Sequence, residues 1–496
     1  MTLPIRFYNS LTHSLEDFKT LEDRKVSMYN CGPTVYDYGH IGNFRSFLFA
    51  DTLRRFLELA GYEVSQVMNL TDVGHMTVDN VADGGGEDKM KVGGQRLKEA
   101  KKQGKAGIDN PDDPWAVAQF FIDAFLEDAK AVGLKIAGEY PQKMPRATAF
   151  VPQMQAIIAR LIERGHAYRA GDAVYFSVES FPAYGQLSGN TLEKLRSGSG
   201  GRILEEHQSD KRHPADFLLW KADASHVMKW DSPWGVGYPG WHIECSAMAA
   251  SVLKREVIDI HTGGEDNIFP HHECEIAQSC CGSEHAGHSQ FANYWLHARF
   301  LSVDGEKMSK SKGNFYTVRD LVGKGIDPAV IRFVLIRSHY RTNLNFTMQE
   351  LNGAASVVSR IGFFYQLARQ NSGGAICGVD NHPVVVGFLE ALSNDLNMPA
   401  ALAVFLPFLS SFQSESLMES TIAHSVIKKI DSVLGICELL NLDVDSFAVK
   451  KCAELDAARE AKDFSKADTI RAELNAAGYD VKTTKFEGTT AVKRLA

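Results

Sequence analysis

The chain has 496 residues, 44% hydrophobic and 23% charged, an ordinary globular balance that excludes a disordered chain and leaves room for about three or four domains. Fifty-three basic against 61 acidic residues give a formal charge of −8, so contact with nucleic acid has to be local rather than a property of the whole surface. Eight cysteines are scattered without a CxxC pair, which excludes a disulfide scaffold or a zinc knuckle and requires any metal site to be gathered from distant segments.

Residues 25–31 (Lys-Val-Ser-Met-Tyr-Asn-Cys) read as a strand, broken by Gly32-Pro33 into a loop that ends at Gly39-His40-Ile41-Gly42-Asn43. Phe44, Phe47, Leu48, Leu53, Phe56, Leu57 and Ala60 then recur at helical spacing up to Gly61, and Tyr62 to Leu70 reads as a second strand. Strand, loop, helix and strand make a βαβ unit, whose loop lies at the strand edge where open α/β sheets bind ligands. Residues 81–111 are rich in Gly, Lys and Asp and run into Asp109-Asn110-Pro111-Asp112-Asp113-Pro114, which marks a boundary.

Residues 112–234 read as an insertion, with helices over Trp115–Val132 and Ala149–Gly165, a strand at Ala173–Val178 and a Gly/Ser-rich loop at 197–201. The sheet is expected to resume near Trp241, carrying Cys245, with Val257-Ile258-Asp259-Ile260-His261 as a buried strand and Pro270 opening a helix. Beyond about 347 the pattern is helical, interrupted at 371–378. The last segment, from 451, reads as a small module with helices divided at Asp463-Phe464-Ser465 and stopped by Gly478. The expected fold is α/β: a Rossmann-type parallel-sheet domain split into 1–111 and 235–300, an inserted α+β domain (112–234), a connecting region (301–346), a helical bundle (347–450) and the terminal module (451–496). No apolar run approaches ~18 residues and the N-terminus lacks a signal-peptide core, so a cytoplasmic chain with no membrane partner is expected.

Two short strings suggest nucleotide chemistry. Gly39-His40-Ile41-Gly42-Asn43 lies between a strand and a helix N-terminus, where unpaired N–H groups and the helix dipole favour phosphate, and His40 can donate to charge developing there. A His/Gly string in a turn is by itself more often only a turn. Lys307-Met308-Ser309-Lys310-Ser311 follows Asp304-Gly305, a hairpin signal, and places two lysines where a mobile loop can offset charge on a departing pyrophosphate. Farther on, His271 and Glu275 are four apart and share a helix face, so both can reach one ion. The residues alone do not close a ligand set: Cys274 or His272 fits as well, and Cys31 and Cys245 read equally as buried apolar cysteines.

The two strings resemble the signature motifs of class I aminoacyl-tRNA synthetases. The surrounding Cys31-Gly32-Pro33-Thr34-Val35-Tyr36-Asp37 and Gly240-Trp241-His242-Ile243-Glu244-Cys245-Ser246-Ala247-Met248 look like the cysteine-specific members. The resemblance implies activation of L-cysteine with Mg-ATP and transfer to the 3′ end of tRNA(Cys) by a monomer. It implies catalytic roles for His40, Asn43, Lys307 and Lys310, and ATP binding by these with Gly39, Gly42, Gly263, Gly264 and Asp266. It further implies one zinc held by Cys31, Cys245, His271 and Glu275, and substrate contacts from Thr34, Trp241 and His261. Residues 112–234 become an acceptor-end domain, 301–346 the lysine loop with a stem-contact region, and 451–496 an anticodon module in which Arg459, Lys466 and Arg471 are the candidate contacts. A basic cluster at Lys89, Lys91, Arg96, Lys98, Lys101, Lys102 and Lys105 offers phosphate contacts, with a solvated surface as its plainer reading.

A metal has a physical reason here. An apolar pocket separates near-isosteres such as serine and cysteine by only ~1–3 kcal/mol, whereas a zinc that accepts the thiolate rejects the poorer hydroxyl ligand. Two positions depart from the family pattern: Asn43 stands where a second histidine is usual, and Ala491 follows Gly488-Thr489-Thr490 where a tryptophan is common. A cysteine ligase that passes the adenylate to the amine of a small sugar is the main alternative; it would account for residues 1–340 and leave the rest unexplained.

Overall fold

The central sheet has four parallel strands, in the spatial order Ala292–Ala298, Ile258–Gly264, Lys25–Asn30, Glu63–Met68. The two strands earliest in the chain build outward in one direction and the two later ones in the other. The order therefore reverses between Lys25–Asn30 and Ile258–Gly264, which is where open parallel sheets leave a crevice at their carboxyl ends. Both strands are almost wholly buried, as expected of a sheet covered on two faces. This computed structural model describes residues 3–75, 87–104, 107–190, 210–285, 290–309, 313–412, 416–440, 446–484 and 488–493. Lys105, the 197–201 loop, Lys310 and Ser311 lie outside the described residues.

The helix Ile41–Leu59 crosses over the sheet and buries Phe44, Phe47, Phe56 and Leu57. Pro114–Ala131 packs onto it, with the Phe125 ring 5.7 Å from Phe44 and 5.6 Å from Phe47. A four-stranded antiparallel sheet follows, Ala167–Ala170, Ala173–Phe176, Phe217–Ala222 and Gly237–Pro239 in spatial order.

Several local expectations are corrected. Residues 237–239 close the antiparallel sheet, pairing Pro239 with Trp220, and Trp241–Leu253 is a helix. The central sheet resumes only at Ile258, and Cys245 rides on the helix. That helix is buried over most of its circumference, so no apolar stripe betrays its period. The helix expected to open at Pro270 begins at Glu273, after a π-helical turn Ile268–His272 in which Phe269 is extended (φ −138°, ψ 132°); the residue before a proline is pushed out of the helical region. Within the Gly-rich stretch, Lys89–Lys102 is helical, capped by the Asp88 side chain on Lys91 N–H. Its glycines permit close packing: a Cβ at Gly94 would lie 2.4 Å from the Pro111 carbonyl oxygen and one at Gly93 2.8 Å from that of Tyr36.

The helices Met348–Asn371, Pro383–Ser393, Met398–Ser411 and Leu417–Leu434 follow. They share an apolar core with the helices Ile41–Leu59 and Pro328–Ile336, and the end of the last is also tied by Arg332, a fully buried residue of Pro328–Ile336. Its guanidinium donates to the carbonyls of Leu434 (2.5 Å), Val132 (3.0 Å) and Gly133 (3.1 Å) and to Asp51 Oδ2 (2.6 Å). Asp51 also accepts from Arg55 Nε at 2.7 Å and Lys135 N–H at 2.8 Å. The end of the chain has helices Ser446–Glu460 and Phe464–Ala476, divided at the expected place, then a hairpin Tyr479–Thr484 with Gly488–Lys493 that periodicity did not disclose. Among the described residues no helix is long and apolar enough to cross a membrane.

Candidate active site and metal centre

His40 is the N-cap of the helix Ile41–Leu59. Its Nδ1 accepts the Asn43 N–H at 3.1 Å while its own N–H donates to Asn43 Oδ1 at 3.1 Å, a reciprocal capping box. No acidic residue occupies the first turn, so the positive end of the helix is uncompensated there, as an anion site requires. The second string is docked against the first. Ile41 N–H donates to Tyr316 O at 3.0 Å, His40 pairs with Thr317, and the His40 ring stands edge-on to Phe315 at 5.2 Å and 87°. Met308 covers Gly42, where a Cβ would come within 2.8 Å of its Cε. Lys307 lies exposed in the strand Glu306–Lys307, beyond the turn in which Asp304 (φ 51°) and Gly305 (φ 79°) are both left-handed, the geometry of a tight hairpin.

Four donors converge at the sheet reversal. Cys31 directly follows the strand Lys25–Asn30, Cys245 comes from the helix Trp241–Leu253, His271 from the π-helical turn and Glu275 from the first turn of Glu273–Gly282. All are buried, and one ligand atom from each lies within 4.8 Å of the others. Cys245 Sγ is 3.5 Å from His271 Nε2, Cys31 Sγ is 3.7 Å from Glu275 Oε1, and His271 Nε2 is 2.9 Å from that oxygen. Tetrahedral bonds of ~2.0–2.3 Å put neighbouring donors about 3.3–3.8 Å apart, so the set fits a tetrahedral divalent ion after a small spread of the His271–Glu275 contact. The far sides of two donors are held as well: Glu275 Oε2 pairs with His261 Nε2 at 2.9 Å and His271 Nδ1 with His242 Nδ1 at 2.8 Å, the outer support that orients metal ligands.

Charge within the cluster is tightly compensated. Burial would raise the Glu275 carboxyl, but His261 and His271 pull it down to about 2. Burial would lower His271, but Glu275 and Cys245 lift it to about 10. Burial would also raise the Cys245 thiol, yet hydrogen bonding from Cys31 and the His271 charge bring it to about 7, while burial and that same thiol pair drive Cys31 up. Burial is thus opposed within the cluster by the mutual attraction of Glu275, Cys245 and His271.

Of the alternatives left open by the sequence, Cys274 is set apart from the cluster and His272 is not. Cys274 turns away to the Tyr184 hydroxyl at 3.5 Å. His272 contributes to a second buried group with Cys31, His261 and Glu275, its Nε2 3.2 Å from Cys31 Sγ, and its Nδ1 is engaged by His297 at 2.8 Å.

Trp241 tilts over His271 with ring centroids 4.4 Å apart. Thr34 is half-buried, paired through the backbone with Thr71. Gly263 and Gly264 end the strand Ile258–Gly264; a Cβ at Gly263 would come 2.7 Å from the His272 ring, and Asp266 lies exposed in the next turn. His261 is buried behind Glu275, stacked on Trp295 at 4.5 Å.

Sequence reasoning missed His242, His297 and Trp295, whose only signal was an aromatic and histidine content concentrated in buried segments. It also misplaced Lys89, which is 1% exposed with its ammonium 5.1 Å above the Trp241 ring. The rest of that basic cluster is partly paired: Arg96 with Asp37, Lys98 with Asp112, and Lys101 with the Asp109 carbonyl at 3.0 Å. Arg459 lies in the last turn of Ser446–Glu460, and Lys466 and Arg471 on the following helix, beside the exposed Phe464.

Residues 17–356 match the family model of the tRNA synthetases class I (C) catalytic domain. A cysteine–tRNA ligase of Salinibacter ruber is 41% identical over 97% of this chain and 96% of its own length. One of Brachyspira hyodysenteriae is 39% identical over 97% and 98%. Among solved structures, Mycobacterium tuberculosis methionyl-tRNA synthetase bound by methionyl-adenylate superposes with a TM-score of 0.55 over 95% of this chain and 98% of that one, at 12% identity. A leucyl enzyme of Agrobacterium radiobacter K84 in a ternary complex with tRNA gives 0.56 over 85% and 86%, at 11% identity. These two share the fold: a Rossmann-type parallel sheet with a helical region. By sequence similarity over nearly its whole length, the chain belongs to the cysteine–tRNA ligase family of class I aminoacyl-tRNA synthetases.

Proposed function

We propose that this enzyme joins L-cysteine to tRNA(Cys) in two steps, with the crevice at the sheet reversal as the seat of both. The cysteine carboxylate attacks the α-phosphorus of Mg-ATP and pyrophosphate leaves; a hydroxyl of the terminal tRNA ribose then attacks the adenylate carbonyl and AMP leaves. Gly39 and Gly42 let the backbone of the helix N-terminus approach the phosphates, and the His40 imidazole donates to the α-phosphate as charge gathers there. Lys307 and Lys310 offset charge on the departing pyrophosphate. Gly263, Gly264 and Asp266, at the carboxyl end of their strand, receive the adenosine or the amino group.

Cys31, Cys245, His271 and Glu275 would hold a zinc ion, which when bound supplies a soft acceptor for the substrate sulfur and so excludes serine and alanine. His261 and His242 orient the carboxylate and imidazole of that set, and Trp241 and Thr34 wall the space above it. Residues 112–234 would receive the acceptor end and 301–346 the stem. The 451–496 module would read unpaired anticodon bases, with Arg459, Lys466 and Arg471 in contact. The reading carries with it a cytoplasmic, monomeric enzyme.

The observation that carries this reading is the convergence of four buried soft and hard donors from remote segments, one of them at the end of the strand whose loop leads to the helix N-terminus at His40. Pyrophosphate exchange with cysteine and with serine, with and without a chelator and followed by tRNA charging, tests it. Exchange that needs cysteine and is abolished by chelation, with charging to follow, is expected. Exchange indifferent to chelator would remove the metal role, and exchange without charging would point to a small-molecule ligase.

A further inference from the structure

We infer that Lys89 is a positioning residue for the amino-acid pocket, its buried ammonium holding the Trp241 and Tyr36 rings in place beside the four-donor cluster. The inference rests on the pocket role proposed above for Trp241.

Lys89 is the first residue of the helix Lys89–Lys102, where the helix dipole disfavours a cation, and it is 1% exposed, so its ammonium has given up bulk water. A methionine would fill similar space without either cost. The charge meets two aromatic rings, Trp241 at 5.1 Å and Tyr36 at 5.5 Å from the centroids. That is the geometry of cation–π attraction, which strengthens as water is removed. Each ring comes from a different side of the pocket. Trp241 tilts over His271 of the four-donor cluster at 4.4 Å. Tyr36 lies two residues beyond Thr34, its N–H donating to the Thr34 carbonyl at 3.1 Å.

The backbone that carries the ammonium is fixed from several sides. Lys89 N–H donates to the His75 carbonyl at 2.8 Å, and His75 Nε2 lies 2.6 Å from Oε1 of Glu244, one turn along the Trp241 helix. Asp88 accepts the Lys91 N–H at 3.0 Å and lies 2.8 Å from His226 Nε2. The His226 ring stacks at 3.9 Å on Tyr238, in the strand that leads into Trp241. Gly240 seats the start of that helix on the strand Phe217–Ala222, since a Cβ there would come 2.1 Å from the Leu218 carbonyl oxygen. The starts of the two helices are thus locked to one another. What remains to be set is the orientation of the indole, and its faces meet Lys89, His242 at 5.3 Å and His271. Lys89 therefore acts on the pocket through Trp241.

The test uses the full chain with Lys89→Met and Lys89→Gln, each made in the wild-type and in the Trp241→Leu background. The Trp241 contribution to the near-UV circular dichroism, taken as the difference between a chain and its Trp241→Leu counterpart, should diminish in both Lys89 variants. In pyrophosphate exchange both should raise cysteine KM about threefold to thirtyfold, the scale of a desolvated cation–π contact. Their kcat should stay within about threefold, because a wall of the pocket binds ground state and transition state alike. In the Trp241→Leu background the same replacements should change KM by less than about twofold, as coupled positions do. A full Lys89 effect that persists without the indole would overturn the inference, since the ammonium would then act on the substrate itself. So would a wild-type KM and an unchanged Trp241 signal in Lys89→Gln, which lacks the charge. A wild type that fails to exchange with cysteine would instead sink the reading of the pocket, and is told apart because the circular dichroism is read without substrate.

Discussion

Asp51→Asn is an informative perturbation of the frame around the helix Ile41–Leu59. The wild-type carboxylate is buried between two guanidiniums, Arg332 at 2.6 Å and Arg55 at 2.7 Å, and also takes the Lys135 N–H at 2.8 Å. The amide preserves size but leaves the buried Arg332 without its ion-pair partner and Arg55 with only Glu438 at 3.7 Å, a change of about 3–5 kcal/mol. In urea, with a slope of ~3 kcal/mol per molar for a chain of several domains, the midpoint should fall by about 1–1.7 M. The sign with pH follows from the carboxylate. Burial would raise its pKa, but Arg332 and Arg55 outweigh burial and hold it below the ordinary value. Its contribution is therefore complete above the unfolded value of ~3.9 and is lost as pH falls through the lower folded value. The variant and wild type should begin to approach each other in stability below about pH 4 and meet only below the folded value. The double variant Asp51→Leu with Arg332→Met should recover part of the loss, since an apolar replacement removes both desolvation penalties. A midpoint shift below ~0.3 M, or a double variant no better than Asp51→Asn, would refute the reasoning.

Other outcomes follow from the site. Cys245→Ser should lower the zinc content of the purified protein as read by elemental analysis. His242→Ala, which removes only an outer support, should weaken zinc about tenfold to hundredfold in a competition titration with a chromophoric chelator. Gly94→Ala places a Cβ 2.4 Å from a backbone carbonyl, an overpacking of about 1–3 kcal/mol that should appear as faster proteolytic cleavage within residues 89–102. Replacing Arg459, Lys466 or Arg471 by Ala should weaken tRNA binding and reduce its log–log salt slope by about 1 for each phosphate left unneutralised, with pyrophosphate exchange unchanged.

What could be read from the sequence, and what could not, divides along physical lines. The strand Lys25–Asn30, the helix Ile41–Leu59 and the division of the terminal helices near Asp463 follow from local periodicity and punctuation, which act over a few residues. Trp241–Leu253 escaped such reasoning because a helix buried on most sides carries no stripe. The stretch holding Gly93 and Gly94 read only as Gly-rich sequence leading to a boundary because their reason is tertiary, the close passage of the Tyr36 and Pro111 backbones. The strings Gly39–Asn43 and Lys307–Ser311 are contiguous and so were visible as strings. His242, His297 and Trp295 surround the four-donor cluster through contacts between segments far apart in the chain, and spacing alone cannot express them. Lys89 belonged by composition to a basic run, yet it is enclosed between the Tyr36 and Trp241 rings.

The reversal of strand order has a consequence for the life history of the molecule. Cys31 is made early, but the partners it faces arrive only after more than two hundred further residues have been added and the intervening domain has left the sheet and returned. A nascent chain thus has no complete nest of donors until Glu275 emerges and the two sheet halves meet. Since donors gathered by folding bind an ion only as that folding finishes, uptake of metal would mark the moment at which the interrupted domain closes on itself.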